Sequence, residues 1–401
     1  MIHELEEGVT APRGFRAAGV ACGIKVSGAL DLSLVVSDAR AAAGGVFTTN
    51  LAVAAPVVVS REHLARTQGH GRAIVINSGC ANACTGADGM KHARDMSMQT
   101  AAALRCSSED VLVASTGVIG VQLPMSKVRK GIAEAASHLT TDGAADAARA
   151  IMTTDPFPKE AAVEVSTPAG TYRVGGMAKG SGMIEPLMAT MLGVLTTDAA
   201  VEPALLQRAL ALVVDDTFNA ITVDGECSTN DCVFVLANGE SGVRITEADL
   251  ADFAGALAAV CQPLAVGIVR GGEGATKLIT VVVTGAASDR DARQAARAIA
   301  NSPLVKTAVH GADPNWGRLI AVAGRSGAAF ALEHAAVRIG DVVLFRNGTP
   351  FDERAAKAAE YLRSPEVELE VNLGTGGAGR SRMWTCDLSA EYVRINAEYR
   401  T

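Results

Sequence analysis

Two short runs, Ala73-Ile-Val-Ile76 and Val111-Leu-Val-Ala114, carry no polar side chain, and each stops at a cluster of hydroxyl, amide and glycine residues. Continuous apolar runs of this length, bounded by turn-forming residues, predict buried strands. The first enters Asn77-Ser-Gly-Cys-Ala-Asn-Ala-Cys-Thr-Gly86, after which Met90, Ala93, Ser97, Ala101 and Leu104 recur at helical spacing. A small-residue loop opening a helix can line a pocket or cradle an anion, and serves ordinary packing equally often. The second run enters Ser115-Thr-Gly-Val-Ile-Gly120. A backbone N–H at Gly117 and a side-chain O–H at Thr116 are the donors an oxyanion hole needs. A plain strand-to-loop turn uses the same residues.

At 401 residues the chain can bury a large core, and its length suggests two or three domains. Aromatic residues are only 4% while 49% of residues are apolar, so Ala, Val, Leu and Ile must build that core. A net charge of −7 with both signs mixed argues against a nucleic-acid or anionic-membrane partner. Met1-Ile-His-Glu-Leu-Glu-Glu7 lacks the basic-then-apolar order of a signal peptide, and the expectation is that no run approaches the ~20 apolar residues of a membrane span. The expected location is cytoplasmic. Of the eight cysteines, Cys80-x3-Cys84 and Cys227-x4-Cys232 lack zinc-ribbon spacing, and His92 stands alone downstream of the first pair. Buried free thiols are expected, and no metal.

Near the middle lies Lys179-Gly-Ser-Gly-Met-Ile-Glu-Pro-Leu-Met-Ala-Thr-Met-Leu192. Gly180 and Gly182 permit positive φ, and Pro186 blocks a helix. Small Ala189 precedes the hydroxyl residue Thr190, which makes a plausible self-cleavage junction. Cleavage would give Thr190 an α-amine with a reference pKa of about 7.7–8.0, able to take the proton from its own hydroxyl. On this stretch alone a half-buried strand threonine is the commoner reading.

Elsewhere, Pro124 opens a helix with Val128, Ile132, Ala136 and Leu139, and Asp142 is placed to cap another reaching Ile151. Strands are expected from Ala161 to Val174 and over Met191–Leu195. A helix then starts at Pro203, and Thr246-x-x-Asp249 starts a further one bearing Leu250, Phe253, Leu257 and Val260. Val266–Arg270 and Leu278–Val283 read as strands flanking Gly271-Gly-Glu-Gly-Ala-Thr-Lys277, where Glu273 and Lys277 meet either a polar ligand or solvent. Ser288 caps an Ala-rich helix, Val337–Phe345 is a hairpin and Val367–Leu373 alternates as a strand. Gly374-Thr-Gly-Gly-Ala-Gly379 lacks the Lys-Ser/Thr step of a P-loop. The mixture predicts an α/β or α+β class in packed layers.

Together these motifs resemble the ornithine acetyltransferases (glutamate N-acetyltransferases) of arginine biosynthesis, over essentially the whole chain. The carriers are Lys179 to Leu192, Ser115-Thr-Gly-Val-Ile-Gly120, Thr217-Phe-Asn-Ala-Ile-Thr-Val-Asp224, Ser228-Thr-Asn-Asp231, Glu273-Gly-Ala-Thr-Lys277, Asp313-Pro-Asn-Trp-Gly-Arg318, and Ile395-Asn-Ala397 with Thr401. Two positions depart from the family pattern: Cys80 stands where Asn is usual, and Gly271 where Asp is common.

The resemblance implies an α/β (α+β) layered sandwich of the DmpA-like kind, with αββα layers, self-cleaved between Ala189 and Thr190. An alpha chain of 1–189 and a beta chain of 190–401 would assemble as alpha2beta2. Thr190 would take acetyl from N-acetylornithine as an ester and pass it to glutamate, with Thr116 and Gly117 holding the oxyanion. Thr153, Lys179, Thr190, Glu273, Asn396 and Thr401 match substrate-binding positions. Lys179 offers a cation to a substrate carboxylate, and Glu273 an anion to the ornithine ammonium. The resemblance implies neither metal nor cofactor. Family members differ in accepting acetyl-CoA, so that donor stays open. Two other readings use the same residues: an N-terminal-nucleophile hydrolase with water as acceptor, and a non-catalytic binding protein in which Thr190 is a strand residue.

Overall fold

The computed structural model describes residues 1–185 and 191–398, which divide into two units: residues 1–219 with 226–268, and residues 220–225 with 269 onward. The first unit holds β1 (Ile2–Leu5), β2 (Phe15–Val20), β3 (Leu32–Phe47), α1 (Ala55–Arg66), β4 (His70–Cys80), α2 (Gly86–Leu104), β5 (Val111–Val118), α3 (Met125–Ser137) and α4 (Ala144–Ala150). It continues with β6 (Lys159–Thr167), β7 (Gly170–Lys179), β8 (Leu192–Thr197), β9 (Ala200–Val201), α5 (Pro203–Asp216), β10 (Cys232–Ala237), β11 (Arg244–Ile245) and α6 (Leu250–Arg270).

Among the described residues, nine of these strands form one sheet in the order β1-β6-β7-β8-β10-β3-β4-β5, with β2 also on β3. The 16-residue β3 joins its two halves: Leu32–Val36 pairs with β2 and β4, and Ala42–Phe47 pairs with β10. Its register on β4 shifts between Val36 and Ala41. Ile74, Ile76, Leu112 and Ala114 from one half share a core with Met177, Leu192, Val194 and Phe234 from the other, so the sheet folds over on itself. The intervening Ala73, Val75, Val111 and Val113 face a second core, with Met96 of α2 and Val128 and Ile132 of α3. Burial on both faces explains why the two opening runs have no polar alternation. On the far side α5 and α6 cover the other half. Gln207 exchanges two hydrogen bonds with the Gly45 backbone, and a β-carbon on Gly176 would strike Val260 and Leu264. The layers run α-β-β-α, as expected.

Three local expectations fail. Val266–Arg270 is the end of α6, not a strand. Pro263 removes a donor in mid-helix, yet Leu264, Ala265, Ile268 and Val269 are buried beyond it, and that burial carries the helix through. The span Glu247–Arg270 is also long and apolar enough to cross a membrane by length and composition, contrary to the expectation that no run is. It is half-buried against the sheet, with Phe253 6.1 Å from the Tyr172 ring. Asp142 does not cap α4: Gly143 occupies the cap without a side-chain bond, because a β-carbon there would lie 1.9 Å from the Ala17 carbonyl oxygen.

The second unit comprises β12 (Leu278–Ala286), α7 (Asp289–Ala300), α8 (Pro303–His310), α9 (Trp316–Gly324), β13 (Ala336–Ile339), β14 (Val342–Arg346), β15 (Thr349–Pro350), α10 (Ala355–Tyr361), β16 (Glu366–Asn372), β17 (Gly379–Cys386) and α11 (Ala390–Glu398). Its sheet runs β15-β14-β13-β16-β12-β17, with only β12 and β16 parallel. Val367, Leu369 and Val371 turn inward with Ile279, Val281 and Val283, and Ala292, Ala296 and Ile299 of α7 close that core. Ser288 caps α7 by accepting the Asp291 N–H.

Phe234 sits on the central strand β10 with no exposure, in the core shared by both sheet halves. Phe234→Ala is expected to lower unfolding stability by about 3–5 kcal/mol, read as a shift in denaturant midpoint.

Candidate active site

β4 and β5 run parallel, with Asn77 beside Ser115, Ser78 beside Thr116 and Gly79 beside Gly117. Both glycines have positive φ, +96° at Gly79 and +126° at Gly117, and a β-carbon on Gly117 would lie 2.4 Å from the Gly79 carbonyl carbon. Only glycine lets the strand ends turn this tightly. Side chains then fix the turn. The Ser115 hydroxyl donates to Asn77 Oδ1 at 2.6 Å, and Asn77 Nδ2 donates to the Cys80 carbonyl at 2.8 Å. Asn230 Nδ2 donates to the Ser115 carbonyl at 2.8 Å and the Ala81 carbonyl at 2.6 Å. With the Ser115 carbonyl anchored, the Thr116 peptide plane is anchored too.

Lys179 ends β7, is buried, and donates from Nζ to Thr116 Oγ1 at 3.3 Å. The Thr116 oxygen therefore spends a lone pair on a cation while its own proton stays available to a developing oxyanion. Accepting from an ammonium makes that hydroxyl a stronger donor.

Beneath Lys179 lies Asp155, whose side chain is fully buried against Lys159 Nζ at 2.7 Å. Its Oδ1 accepts the Gly180 N–H at 2.7 Å, and its Oδ2 accepts the Thr153 N–H at 3.0 Å. One carboxylate thus anchors the residue after Lys179 and the backbone of Thr153. Burial acts to raise the Asp155 carboxyl, but Lys179, Lys159 and the donated hydrogen bonds outweigh it and hold it at about 2. Burial also lowers the Lys159 and Lys25 ammonium pKa values, with Lys179 adding to both and Asp155 opposing. Asp31 is a second carboxylate beside Lys25, acting on it more strongly than Asp155 does.

In the second unit Asn396 of α11 donates from Nδ2 to Glu273 Oε2 at 2.8 Å, and the Glu273 side chain is largely buried. These two sequence-predicted residues meet directly. Lys277 has a structural role: its Nζ donates to the carbonyls of Val309 at 2.7 Å, His310 at 3.4 Å and Leu362 at 2.6 Å. Val309 and His310 end α8, where a cation suits the helix terminus.

Thr116, Gly117, Thr153 and Lys179 are thus gathered in the first unit, and Glu273 with Asn396 in the second. Ala189, Thr190 and Thr401 lie outside the described residues. Sequence reasoning assigned no role to Asp155 or Asn230. Asp155 carried a faint signal as the acid in Thr153-Thr-Asp-Pro156, next to a predicted site residue; Asn230 sat unused in Ser228-Thr-Asn-Asp231.

An unfolded aspartate titrates near 3.9. Because the folded value of about 2 is lower, the stabilisation from Asp155 is complete above about 3.9 and is lost as pH falls through about 2. Asp155→Asn leaves Lys159 buried without an anion, an expected loss of roughly 3–5 kcal/mol at neutral pH. Denaturant titrations should show the gap between variant and wild type closing as the pH is lowered across that window.

A family model described as the ArgJ family matches residues 16–401. The chain is 51% identical over 410 residues to the arginine biosynthesis bifunctional protein ArgJ of Synechococcus sp., covering 99% of this chain and 98% of the relative. It is 52% identical over 405 residues to the protein of the same name from Symbiobacterium thermophilum, covering 99% of each. Among solved structures it is similar to ArgJ from Bacillus halodurans, at 45% identity and a TM-score of 0.49, across 51% of this chain and 97% of that one. It is also similar to an ornithine acetyltransferase from Mycobacterium tuberculosis complexed with ornithine, at 46% identity and a TM-score of 0.44, across 47% of this chain and 100% of that one. With a family match over nearly its full length and full-length relatives at about half identity, this chain belongs to the ArgJ family.

Proposed function

We propose that this protein is a glutamate N-acetyltransferase of arginine biosynthesis, moving acetyl from N2-acetyl-L-ornithine to L-glutamate through an acyl-enzyme. The observation that carries the reading is membership of the ArgJ family across residues 16–401, with relatives named for arginine biosynthesis. The geometry supports acyl transfer: the Lys179–Thr116 hydrogen bond beside Gly117 supplies a polarised donor for a tetrahedral oxyanion. The Lys179 ammonium on Thr116 favours a substrate carrying a carboxylate, and buried Glu273 favours one carrying an ammonium.

In this reading the chain cleaves itself between Ala189 and Thr190, and the freed Thr190 amine takes the proton from the Thr190 hydroxyl as it attacks the acetyl carbonyl. Ornithine leaves, glutamate enters, and its amine attacks the Thr190 ester. Thr116 and Gly117 serve both tetrahedral stages, while Thr153, Lys179, Glu273, Asn396 and Thr401 contact substrate. The two products of cleavage associate as alpha2beta2, in the cytoplasm, without metal or cofactor. The relatives are named bifunctional, and in this reading acetyl-CoA would be the second acetyl donor.

Thr116→Ala is expected to lower kcat by roughly 10²–10³-fold, from loss of one oxyanion donor, in a folded enzyme. Varying acetylornithine at several fixed glutamate concentrations should give parallel double-reciprocal lines; intersecting lines would overturn the acyl-enzyme. Intact mass spectrometry should find two fragments in place of a single 41.1 kDa chain. Lys179→Ala is expected to raise the KM for at least one substrate besides lowering kcat, and unchanged values for both would remove its contact with the substrate carboxylate.

A further inference from the structure

Three of the seven residues in Gly271-Gly-Glu-Gly-Ala-Thr-Lys277 are glycine, so nothing in the loop's own composition would hold Glu273 still. Contacts give the loop its shape. The Ala275 N–H donates to the Gly272 carbonyl at 2.9 Å, closing a four-residue turn with Glu273 at its second place. Gly274 follows with φ +68°, and a β-carbon there would lie 2.4 Å from the Tyr392 nitrogen of α11.

One side chain just beyond β17, Asp387, holds the far half of this loop, and it has no exposure. Its Oδ1 accepts the Thr276 N–H at 2.7 Å and the Lys277 N–H at 2.8 Å. Its Oδ2 accepts the Thr276 hydroxyl and the His310 Nδ1–H, both at 2.6 Å. Burial acts to raise the Asp387 carboxyl, but these donated hydrogen bonds outweigh it and hold the group below the usual carboxylate range. An ionised carboxylate only accepts, so Asp387 orients every one of these donors. Two residues on, Ser389 donates its hydroxyl to the Gly274 carbonyl at 2.6 Å and accepts the Tyr392 N–H at 3.4 Å. The start of α11 is thereby fixed to the turn, and one helical turn after Tyr392 the Asn396 amide reaches Glu273 Oε2 at 2.8 Å.

We propose that Asp387 is a positioning residue for acetyl transfer, fixing the loop on which Glu273 meets the side-chain ammonium of N-acetylornithine. This role rests on the reading of Glu273 given above and adds what keeps that carboxylate in place. Glutamate brings no side-chain ammonium, so displacing Glu273 costs the donor half-reaction and spares the acceptor half-reaction. With an acyl-enzyme between them, kcat/KM for each substrate reports its own half-reaction, and the two can be read apart.

The test compares full-length wild type, Asp387→Asn, Glu273→Gln and the double variant, with thermal melting to report the fold. Asp387→Asn keeps one oxygen for the backbone donors and turns an NH2 group toward Thr276 and His310, so the loop loosens without leaving an empty volume. The acetylornithine kcat/KM should fall roughly 10- to 100-fold, the scale of one hydrogen bond to a charged group, while the glutamate value stays within about twofold. Added to Glu273→Gln, Asp387→Asn should cost nothing further, because it acts through that carboxylate. Thr276→Val keeps Asp387 and removes one donor on Oδ2; it should shift the acetylornithine value the same way by less, and it decides alone if Asp387→Asn fails to fold. Equal losses for both substrates, multiplying losses in the double variant, or a folded Asp387→Asn with wild-type kinetics overturns the proposal. A Glu273→Gln enzyme that uses acetylornithine as well as wild type overturns the reading of Glu273, and this role with it.

Discussion

The site in the first unit depends on one buried carboxylate. Asp155 is out of reach of water, and desolvating an ion costs several kcal/mol, so its ion pair with Lys159 alone would not secure it. What secures it is three donated hydrogen bonds, from an ammonium and two backbone N–H groups, with Lys179 adding a second positive charge at longer range. The two backbone bonds matter most for function. They tie the turn carrying Thr153 to the exit of β7, and so set where the Lys179 ammonium arrives on Thr116.

A second consequence comes from strand order. β8 lies between β7 and β10, with Lys179 paired to Leu192 across the β7–β8 ladder. Of the two proposed chains, 1–189 and 190–401, the second therefore places β8 and β10 inside the sheet of the first. In sequence the proposed cut falls between Lys179 and Leu192, the pair that ends the β7–β8 ladder. The products would stay together because each is a part of the same nine-stranded sheet, and separating them would open the core around Met177, Leu192, Val194 and Phe234.

The sequence was most legible where period and burial agree. Ala73–Ile76 and Val111–Ala114 read as buried strands because both of their faces are covered, and Val367–Leu373 read as a strand because only one is. Legibility failed where tertiary packing overrode a local signal. Val266–Arg270 looked like a strand, and buried Leu264 and Ile268 carried α6 past Pro263 and through that stretch; Asp142 looked like a cap, and the close approach of Ala17 gave the position to Gly143. The site shows the same division. Thr116, Gly117 and Lys179 could be picked out as chemical types in glycine-rich stretches. Asp155 and Asn230 could not, because their importance lies in contacts such as Asn230 to Ser115, 115 positions apart in sequence.

The same donors face two acyl reactions under the proposed chemistry. Self-cleavage and acetyl transfer both place negative charge on a carbonyl oxygen next to Thr190, so a hole formed by Thr116 and Gly117 would stabilise both. The two reactions differ in their leaving groups. In transfer the departing amine belongs to a substrate, whereas in cleavage it is the chain's own nitrogen, which stays part of the chain. Loss of the hole would therefore impair both events, whichever amine departs.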